Sequence, residues 1–127
     1  MSNIDSAKAI YDAFGAGDME RLGGLFADDA QWVASDELPG GGTIEGRDAI
    51  LENFAALAGA WKEFAVEPIE FIDGGKWVTV RGTQKATGNA GSFECPYAHL
   101  LEFSGDGKLA RAEFYNDSAK AKMALGS

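Results

Sequence analysis

The chain has 127 residues, of which 46% are hydrophobic and 24% are charged. This balance is ordinary for one globular domain, 1–127, and excludes a disordered or fibrous protein. The net charge of −9 argues against nucleic acids and membranes as partners, because both attract clusters of Lys and Arg. No apolar run approaches the roughly 20 residues that span a bilayer, and the acidic N-terminal segment is not typical of a secretory signal, so we expect a cytoplasmic protein. With one Cys and one His, the chain can form neither an internal disulfide nor a structural zinc site.

Helices are predicted in the first half of the chain, where apolar residues recur every three or four positions. This spacing predicts a first helix over residues 2–15, which glycines end. Asp18 is a suitable N-cap for a short second helix. Alternation over residues 30–36 predicts a short strand, and the Pro-Gly-Gly-Gly segment 39–42 predicts an open loop. A third helix is predicted to begin at Gly46.

Strands are predicted in the second half, where the apolar period changes to two. The apolar phase of the first strand shifts at Pro68, which predicts an irregularity there. The third has the clearest pattern and carries His99 on its apolar face. The predicted strands cover residues 64–72, 77–87, 92–103 and 109–116, and the polar tail from Asp117 is compatible with a further short helix.

Helices followed by a meander of long antiparallel strands predict an α+β fold with the helices on one face of the sheet. A twisted sheet of long strands curls. Helices laid across its concave face would therefore leave a cone with an apolar cavity. The 14 aromatic residues (3 Trp, 3 Tyr and 8 Phe) are enough to line such a cavity.

Several short segments carry a resemblance to a known family. In chain order they are Tyr11-Asp-Ala-Phe14, Ala16-Gly-Asp18, Leu25-Phe-Ala-Asp-Asp29, Gly41-Gly-Thr-Ile-Glu-Gly46, Tyr97-Ala-His99, Asp106-Gly-Lys108 and Glu113-Phe-Tyr-Asn-Asp117. Their order and spacing resemble the SnoaL-like branch of the nuclear transport factor 2-like superfamily, which includes polyketide cyclases and ketosteroid isomerases. The resemblance implies a cystatin-like cone, with three N-terminal helices packed on the concave face of a curved mixed or antiparallel sheet around an apolar cavity. It also implies a homodimer formed through the outer face of the sheet.

The resemblance does not name an activity, because this scaffold hosts isomerases, cyclases, dehydratases, epoxide hydrolases and non-enzymes. Ketosteroid isomerases use a carboxylate base and an oxyanion hole made by a tyrosine and a protonated acid. The tyrosine position falls on Ile10 and the base position on Ala34. The acid falls on Ala98 or His99, depending on the register of the last hairpin. Steroid isomerisation by that mechanism is therefore not expected.

The polyketide cyclases are more similar around His99, since they also have a histidine in the pocket. Their catalytic aspartate lies on the last strand, at a position that falls on Phe114 here. The neighbouring Glu113 would reach the cavity only if the strand register differed by one residue, because such a shift turns a side chain to the other face. Which of the two faces inward is left open by the sequence.

The candidate catalytic residues are His99 and Asp36. A neutral imidazole in an apolar pocket can exchange a proton near neutral pH; the alternative is an ordinary buried histidine with a satisfied partner. Asp36 lies two residues past Ala34, on the same strand face and towards the cavity mouth, where a desolvated carboxylate could act as a base. The alternative for Asp36 is a solvated aspartate at a loop edge.

Two functions from different classes remain open. One is a cofactor-free isomerase or cyclase that acts by general acid–base chemistry on an apolar carbonyl or polycyclic substrate, without a metal. The other is a non-catalytic module of the same fold that binds an apolar ligand or forms a dimer. In both cases the expected ligand-binding residues are Tyr11, Trp32, Phe54, Trp61, Tyr97, Phe114 and Asn116.

Overall fold

The structure, a computed structural model, describes residues 2–126 and contains helices packed against one sheet. The helices are α1 (Asn3–Ala16), α2 (Met19–Gly24), α3 (Arg47–Ala60) and α4 (Ser118–Leu125). The strands are β1 (Phe26–Ala34), β2 (Gly42–Glu45), β3 (Glu63–Gly74), β4 (Trp77–Gly88), β5 (Gly91–Phe103) and β6 (Leu109–Tyr115). None of the helices in these residues is long and apolar enough to cross a membrane.

The six strands form one curved, unclosed sheet in the order β2-β1-β6-β5-β4-β3. β1 runs parallel to β6, and every other neighbouring pair is antiparallel. The mixed sheet with helices confirms the predicted α+β cystatin-like fold. The sheet curvature is what allows side chains from distant strands to converge on one space.

The predicted glycine end of α1 and the predicted Asp18 N-cap of α2 are confirmed. The Ser2 hydroxyl accepts from the Asp5 N–H, and the Asp5 carboxylate accepts from the Ser2 N–H, so α1 begins with a capping box. Gly17 ends α1 in the left-handed conformation, with φ of 69°, which glycine adopts without steric cost. The Asp18 carboxylate then accepts from the Arg21 N–H and caps α2.

Two parts of the predicted secondary structure need correction. β1 begins at Phe26 rather than residue 30. The prediction missed this first part, because the pairing with β6 is irregular between Phe26 and Gln31 and the sequence does not alternate there. β1 also ends at Ala34, two residues earlier than predicted. The following strand β2 was not predicted, because its four residues are too few for a period to be visible. The long strands and their turns agree with the prediction.

The irregularity predicted at Pro68 is confirmed. The pairing of β3 with β4 shifts between Pro68 and Glu70, which leaves the intervening Ile69 65% exposed on the edge strand. The missing N–H of proline is tolerated here, because β3 is an edge strand and a bulge interrupts the ladder. A bulge bends its strand, and β3 is the strand that helix α1 contacts most.

The inner face of the sheet and the helices build the core. α1 contributes Ala7, Ile10 and Ala13, while α3 contributes Ile50 and Phe54. The odd-numbered residues of β5, from Phe93 to Phe103, are all buried, which confirms the predicted apolar face. A second buried cluster lies under α4 and contains Trp61, Ala86, Phe93, Cys95, Ala121 and Ala124.

Candidate active site

A cavity of about 140 Å³ lies between the helices and the inner face of the sheet. Most of its lining is aromatic or aliphatic. The polar lining residues are Tyr11, Ser35, Asn53, Gln84, His99 and Asn116. Among residues 2–126, no Asp, Glu, Lys or Arg lines this cavity, and no group of three or more metal-ligating side chains occurs. The cavity therefore suits an uncharged, mainly apolar ligand.

His99 lies on the cavity wall and is only 8% exposed. Its Nδ1 atom is 2.5 Å from the Tyr11 hydroxyl oxygen, so the imidazole is tied to helix α1. Burial lowers the pKa of His99 to about 3, because an imidazolium would lose its hydration. Burial likewise raises the pKa of Tyr11, so the phenol keeps its proton. Both side chains are therefore neutral at neutral pH.

The hydrogen bond between these two neutral groups decides which nitrogen of His99 carries the proton. A phenol is a better donor than acceptor, and an unprotonated imidazole nitrogen is a strong acceptor. Tyr11 therefore donates to Nδ1, and the ring proton is assigned to Nε2. Within residues 2–126, no group bonds to Nε2. His99, a residue of the cavity wall, thus has one unpaired imidazole N–H, and half-buried Tyr11 fixes the orientation of the ring.

Aromatic rings hold His99 on its other sides. The Tyr97 ring stacks on the imidazole with centroids 4.0 Å apart, and the edge of the Phe114 ring packs at 4.6 Å and 78°. Tyr97 lies over Gly82 of β4, where an added Cβ would come within 2.6 Å of the Tyr97 hydroxyl oxygen and 2.1 Å of the Glu67 carbonyl oxygen. The absence of a side chain at Gly82 is therefore a condition for this stack.

Tyr97 itself does not line the cavity, although the sequence predicted it as a ligand-binding residue. Its ring lies beside that of His99, and its buried hydroxyl has no hydrogen-bond partner in residues 2–126. Burial, followed by the negative charge of Glu67, raises the pKa of Tyr97 to about 12. The geometry gives Tyr97 a positioning role towards His99 rather than a direct contact with the cavity.

A pair of amides forms a further polar part of the lining. The Asn116 side-chain N–H donates to the Gln84 side-chain oxygen at 2.8 Å. Asn116 was predicted as a ligand-binding residue, whereas Gln84 was missed. The sequence did indicate Gln84, because the period of two in β4 places it on the same inward face as Val78, Val80 and Ala86.

The predicted loop after β1 forms one wall of the cavity through Leu38, Pro39, Gly40 and Gly41. Asn53 of α3 donates to the Gly40 carbonyl at 2.8 Å. Gly41 passes so close to the Ser35 carbonyl oxygen that an added Cβ would come within 1.7 Å of it. Only glycine fits this position without moving the backbone.

The expectation that Asp36 shares a strand face with Ala34 at the cavity is wrong. Because β1 ends at Ala34, the period of two does not continue, and Asp36 lies in an exposed turn outside the cavity lining. Its position agrees with the alternative interpretation, a solvated aspartate at a loop edge. We do not propose a catalytic role for Asp36.

The predicted aromatic lining is divided between two neighbouring cavities. Trp32, Trp61 and Phe114 line the cavity that contains His99. Phe54 packs edge-on against Trp32, with centroids 5.1 Å apart, and lines a second cavity instead. The two cavities share the side chains of Phe14, Leu57, Phe64 and Val66.

The register of the last hairpin, which the sequence left open, places Phe114 inward and Glu113 outward. Phe114 pairs with His99 and lines the cavity. Glu113 accepts from Arg111 Nε at 2.8 Å and from the Tyr115 hydroxyl at 2.7 Å, away from the cavity. These two bonds hold the pKa of Glu113 below its ordinary value, and the bond from Arg111 has the larger effect. The carboxylate of Glu113 is therefore unavailable to a ligand in the cavity.

Comparison with known proteins agrees with this architecture. The SnoaL-like domain family matches residues 7–112 of the sequence. The chain belongs to this family. The ketosteroid isomerase tyrosine and base positions of this SnoaL-like domain, Ile10 and Ala34, are cavity-lining apolar residues. At these two positions the chain therefore lacks the groups that ketosteroid isomerases use.

Solved structures show the same fold over nearly the whole chain. A nuclear transport factor 2-like protein of unknown function from Burkholderia pseudomallei is 26% identical, with both chains fully covered and a TM-score of 0.91. TerC, co-crystallised with polyporic acid, is 28% identical over 98% of each chain, with a TM-score of 0.89. A hypothetical protein with a ketosteroid isomerase-like fold from Catenulispora acidiphila, in complex with trimethylamine, is 23% identical over 95% of this chain and 92% of its own, with a TM-score of 0.80. No curated protein matches the sequence.

Proposed function

We propose that this SnoaL-like domain binds a neutral aromatic carbonyl compound, whose carbonyl oxygen accepts a hydrogen bond from His99 Nε2. The observation that carries the proposal is the combination of one fixed imidazole N–H with an uncharged, mainly apolar cavity lining that includes several aromatic rings. An apolar ring gains free energy when it leaves water for such a site. The donor then selects compounds in which an oxygen is attached to the ring.

The size of the cavity supports a ligand core of about one ring. A cavity of about 150 Å³ in another protein binds benzene, and the cavity here measures about 140 Å³. Trp32 and Phe114 lie with ring centroids 4.1 Å apart on its wall and present aromatic surface to a bound ring. Larger ligands would extend past the loop that contains Gly40 and Gly41.

The comparison with TerC supports a ring with carbonyl groups as the ligand, although polyporic acid differs from the proposed ligand in being an acid. TerC was co-crystallised with polyporic acid, an aromatic hydroxyquinone, and it is 28% identical to this chain over 98% of each. Polyporic acid is therefore a suitable probe beside smaller ring ketones. The proposal for this chain rests on His99 and the cavity lining, and TerC suggests where a ligand screen should begin.

A cofactor-free isomerase or cyclase is the second candidate function, and the His99 N–H is the observation that favours it. A preorganised donor stabilises the negative charge that develops on a carbonyl oxygen during enolisation. His99 is a weak base, because burial lowers its pKa to about 3 and its Nδ1 already accepts from Tyr11. A catalytic reaction would need a water molecule or a group of the substrate as the base.

NMR spectroscopy tests binding and catalysis separately. The chain has one histidine, so its ring signals are unambiguous after removal of any purification tag. Titration with 1-tetralone, a bicyclic aromatic ketone, and with polyporic acid should shift these signals. His99→Leu should weaken the binding of 1-tetralone about tenfold, since it removes the donor; backbone amide signals measure this, because the variant has no histidine. Absence of 1-tetralone binding to the wild-type protein would contradict the proposed function.

Exchange of the protons next to the carbonyl of 1-tetralone in D₂O distinguishes an enzyme from a binding protein. An enzyme would accelerate the loss of these proton signals over buffer, and His99→Leu would abolish the acceleration. A binding protein would give the buffer rate while still binding the ketone. We expect the buffer rate, because the cavity lining in residues 2–126 contains no carboxylate base.

A further inference from the structure

The amides of Gln84 and Asn116 form a second polar group in the cavity, apart from His99. The single hydrogen bond between them uses one donor and one acceptor. Each amide has an N–H₂ group and a carbonyl. Whichever way the two amides are turned, an N–H₂ group of one and the carbonyl of the other take no part in this bond and are open to a ligand.

The burial of Gln84 makes these remaining groups significant. Gln84 is only 8% exposed, and it lines the cavity from the inner face of β4. Its inward neighbours on that strand include Val80 and Ala86, which are buried and apolar. An amide removed from bulk water usually finds partners for its hydrogen-bonding atoms. A polar group on a ligand in the same cavity would supply the missing partner.

The spacing between the two polar groups fits one small ligand. Gln84 pairs with Cys95, which precedes His99 by four residues on the same face of β5. Four residues of a strand span about 13 Å. A six-membered ring can carry two oxygens at opposite positions. When each oxygen forms a hydrogen bond of ordinary length, the two protein groups that it bonds to lie on the order of 11 Å apart. The two distances are similar, so a ring whose first oxygen bonds to His99 can bring a second oxygen on its far side close to the amides.

We propose that Gln84 is a specificity-determining residue which, together with Asn116, binds a second ligand oxygen on the side of the ring opposite the carbonyl at His99. The ligand class is then an aromatic carbonyl compound with a hydroxyl or second carbonyl group across the ring. This inference rests on the proposed function, because His99 binds the first oxygen. Gln84 acts on the choice of ligand and not on the state of His99.

A matched pair of compounds tests the role of Gln84. 1-Tetralone has one oxygen, and 4-hydroxy-1-tetralone has a hydroxyl across the same ring from the carbonyl. The wild-type protein should bind the hydroxylated compound about fivefold more tightly, the effect of one additional hydrogen bond. In Gln84→Leu this preference should disappear, while the affinity for 1-tetralone stays within about twofold. The Gln84 side-chain amide signals of the wild-type protein should shift with the hydroxylated compound alone.

Two further variants complete the test. Gln84→Met removes the amide with a different shape, so it replaces the leucine variant if that protein does not fold. Gln31→Leu removes an amide that bonds to Arg111 outside the cavity lining and should leave the preference unchanged. If 1-tetralone binds and the wild-type protein shows no preference, or if the preference survives both Gln84 variants, this inference is wrong and the proposed function stands. If neither compound binds, both are wrong.

Discussion

The Tyr11 hydroxyl oxygen lies 2.5 Å from Nδ1 of His99 and joins helix α1 to strand β5 across 88 residues of the chain. This bond satisfies a buried imidazole nitrogen and a buried hydroxyl together. It also leaves the opposite ring nitrogen, Nε2, as the donor to the cavity. The position of α1 on the sheet therefore determines the chemistry that His99 can offer.

His99 should remain neutral throughout the physiological pH range. Burial lowers its pKa to about 3, well below the ordinary value of about 6.5. We expect its ring signals in NMR spectra to stay constant from pH 8 to pH 5. A midpoint near 6.5 in the folded protein would show that the ring is solvated and would contradict the buried geometry.

The same burial predicts how stability depends on pH. The unfolded chain takes up a proton at residue 99 below about pH 6.5, whereas the folded chain takes it up only near its pKa of about 3. Within this window the unfolded state binds more protons, so stability falls as the pH falls, by up to about 1.4 kcal/mol per pH unit.

His99→Phe isolates this contribution from those of the carboxylates. Urea unfolding of both proteins between pH 7 and pH 4 should show that the variant loses less stability on acidification. The Tyr11 hydroxyl left unpaired by the substitution lowers stability equally at each pH in this range. Parallel curves for the two proteins would contradict the lowered pKa.

Tyr11→Phe should affect both stability and the protonation pattern of His99. It leaves Nδ1 buried without a partner, which costs about 1–3 kcal/mol. The ¹⁵N shifts of the imidazole should indicate a proton on Nε2 in the wild-type protein and a mixture of both forms in the variant. Tyr115→Phe is the matched control, since Tyr115 is 53% exposed, and should remain close to wild-type stability. Equal behaviour of the two variants would refute the role of Tyr11.

Gly82→Ala tests the stack beneath His99. The added Cβ would meet the Glu67 carbonyl oxygen at 2.1 Å and the Tyr97 hydroxyl at 2.6 Å, so we expect a loss of about 2 kcal/mol or more. Gly59→Ala is the control, because Gly59 lies in α3 with nothing within 4 Å of the new atom. This control should gain about 0.5–1 kcal/mol from helix propensity. Chemical denaturation measures both, and a neutral Gly82→Ala would contradict the close packing.

We expect a homodimer through the outer face of the sheet, where half-buried Leu100 lies next to Glu113. Sedimentation at micromolar concentration should give twice the chain mass. Leu100→Lys should produce monomers, because it places a charge in the contact. Met123→Lys, on α4 and 78% exposed in the single chain, should leave the dimer intact. A monomeric wild-type protein would refute the expectation.

Much of the fold could be predicted because local periods reflect backbone geometry. In α1, apolar residues recur every three or four positions and therefore lie on one side of the helix. In β5, the period of two puts His99 on the inner face. Both patterns persist over enough residues to be recognised. β2 and the first half of β1 were missed, since one is short and the other contains an irregularity.

The helices, the long strands, the family resemblance and the inward position of His99 could all be inferred from the amino-acid pattern. The three-dimensional arrangement was needed to show that Tyr11 bonds to His99, that Gln84 meets Asn116, and that Asp36 lies outside the cavity lining. The physical reason is that periodicity follows from neighbouring residues along the chain. Contacts between distant residues depend instead on strand register, sheet curvature and helix position, which the whole chain determines together.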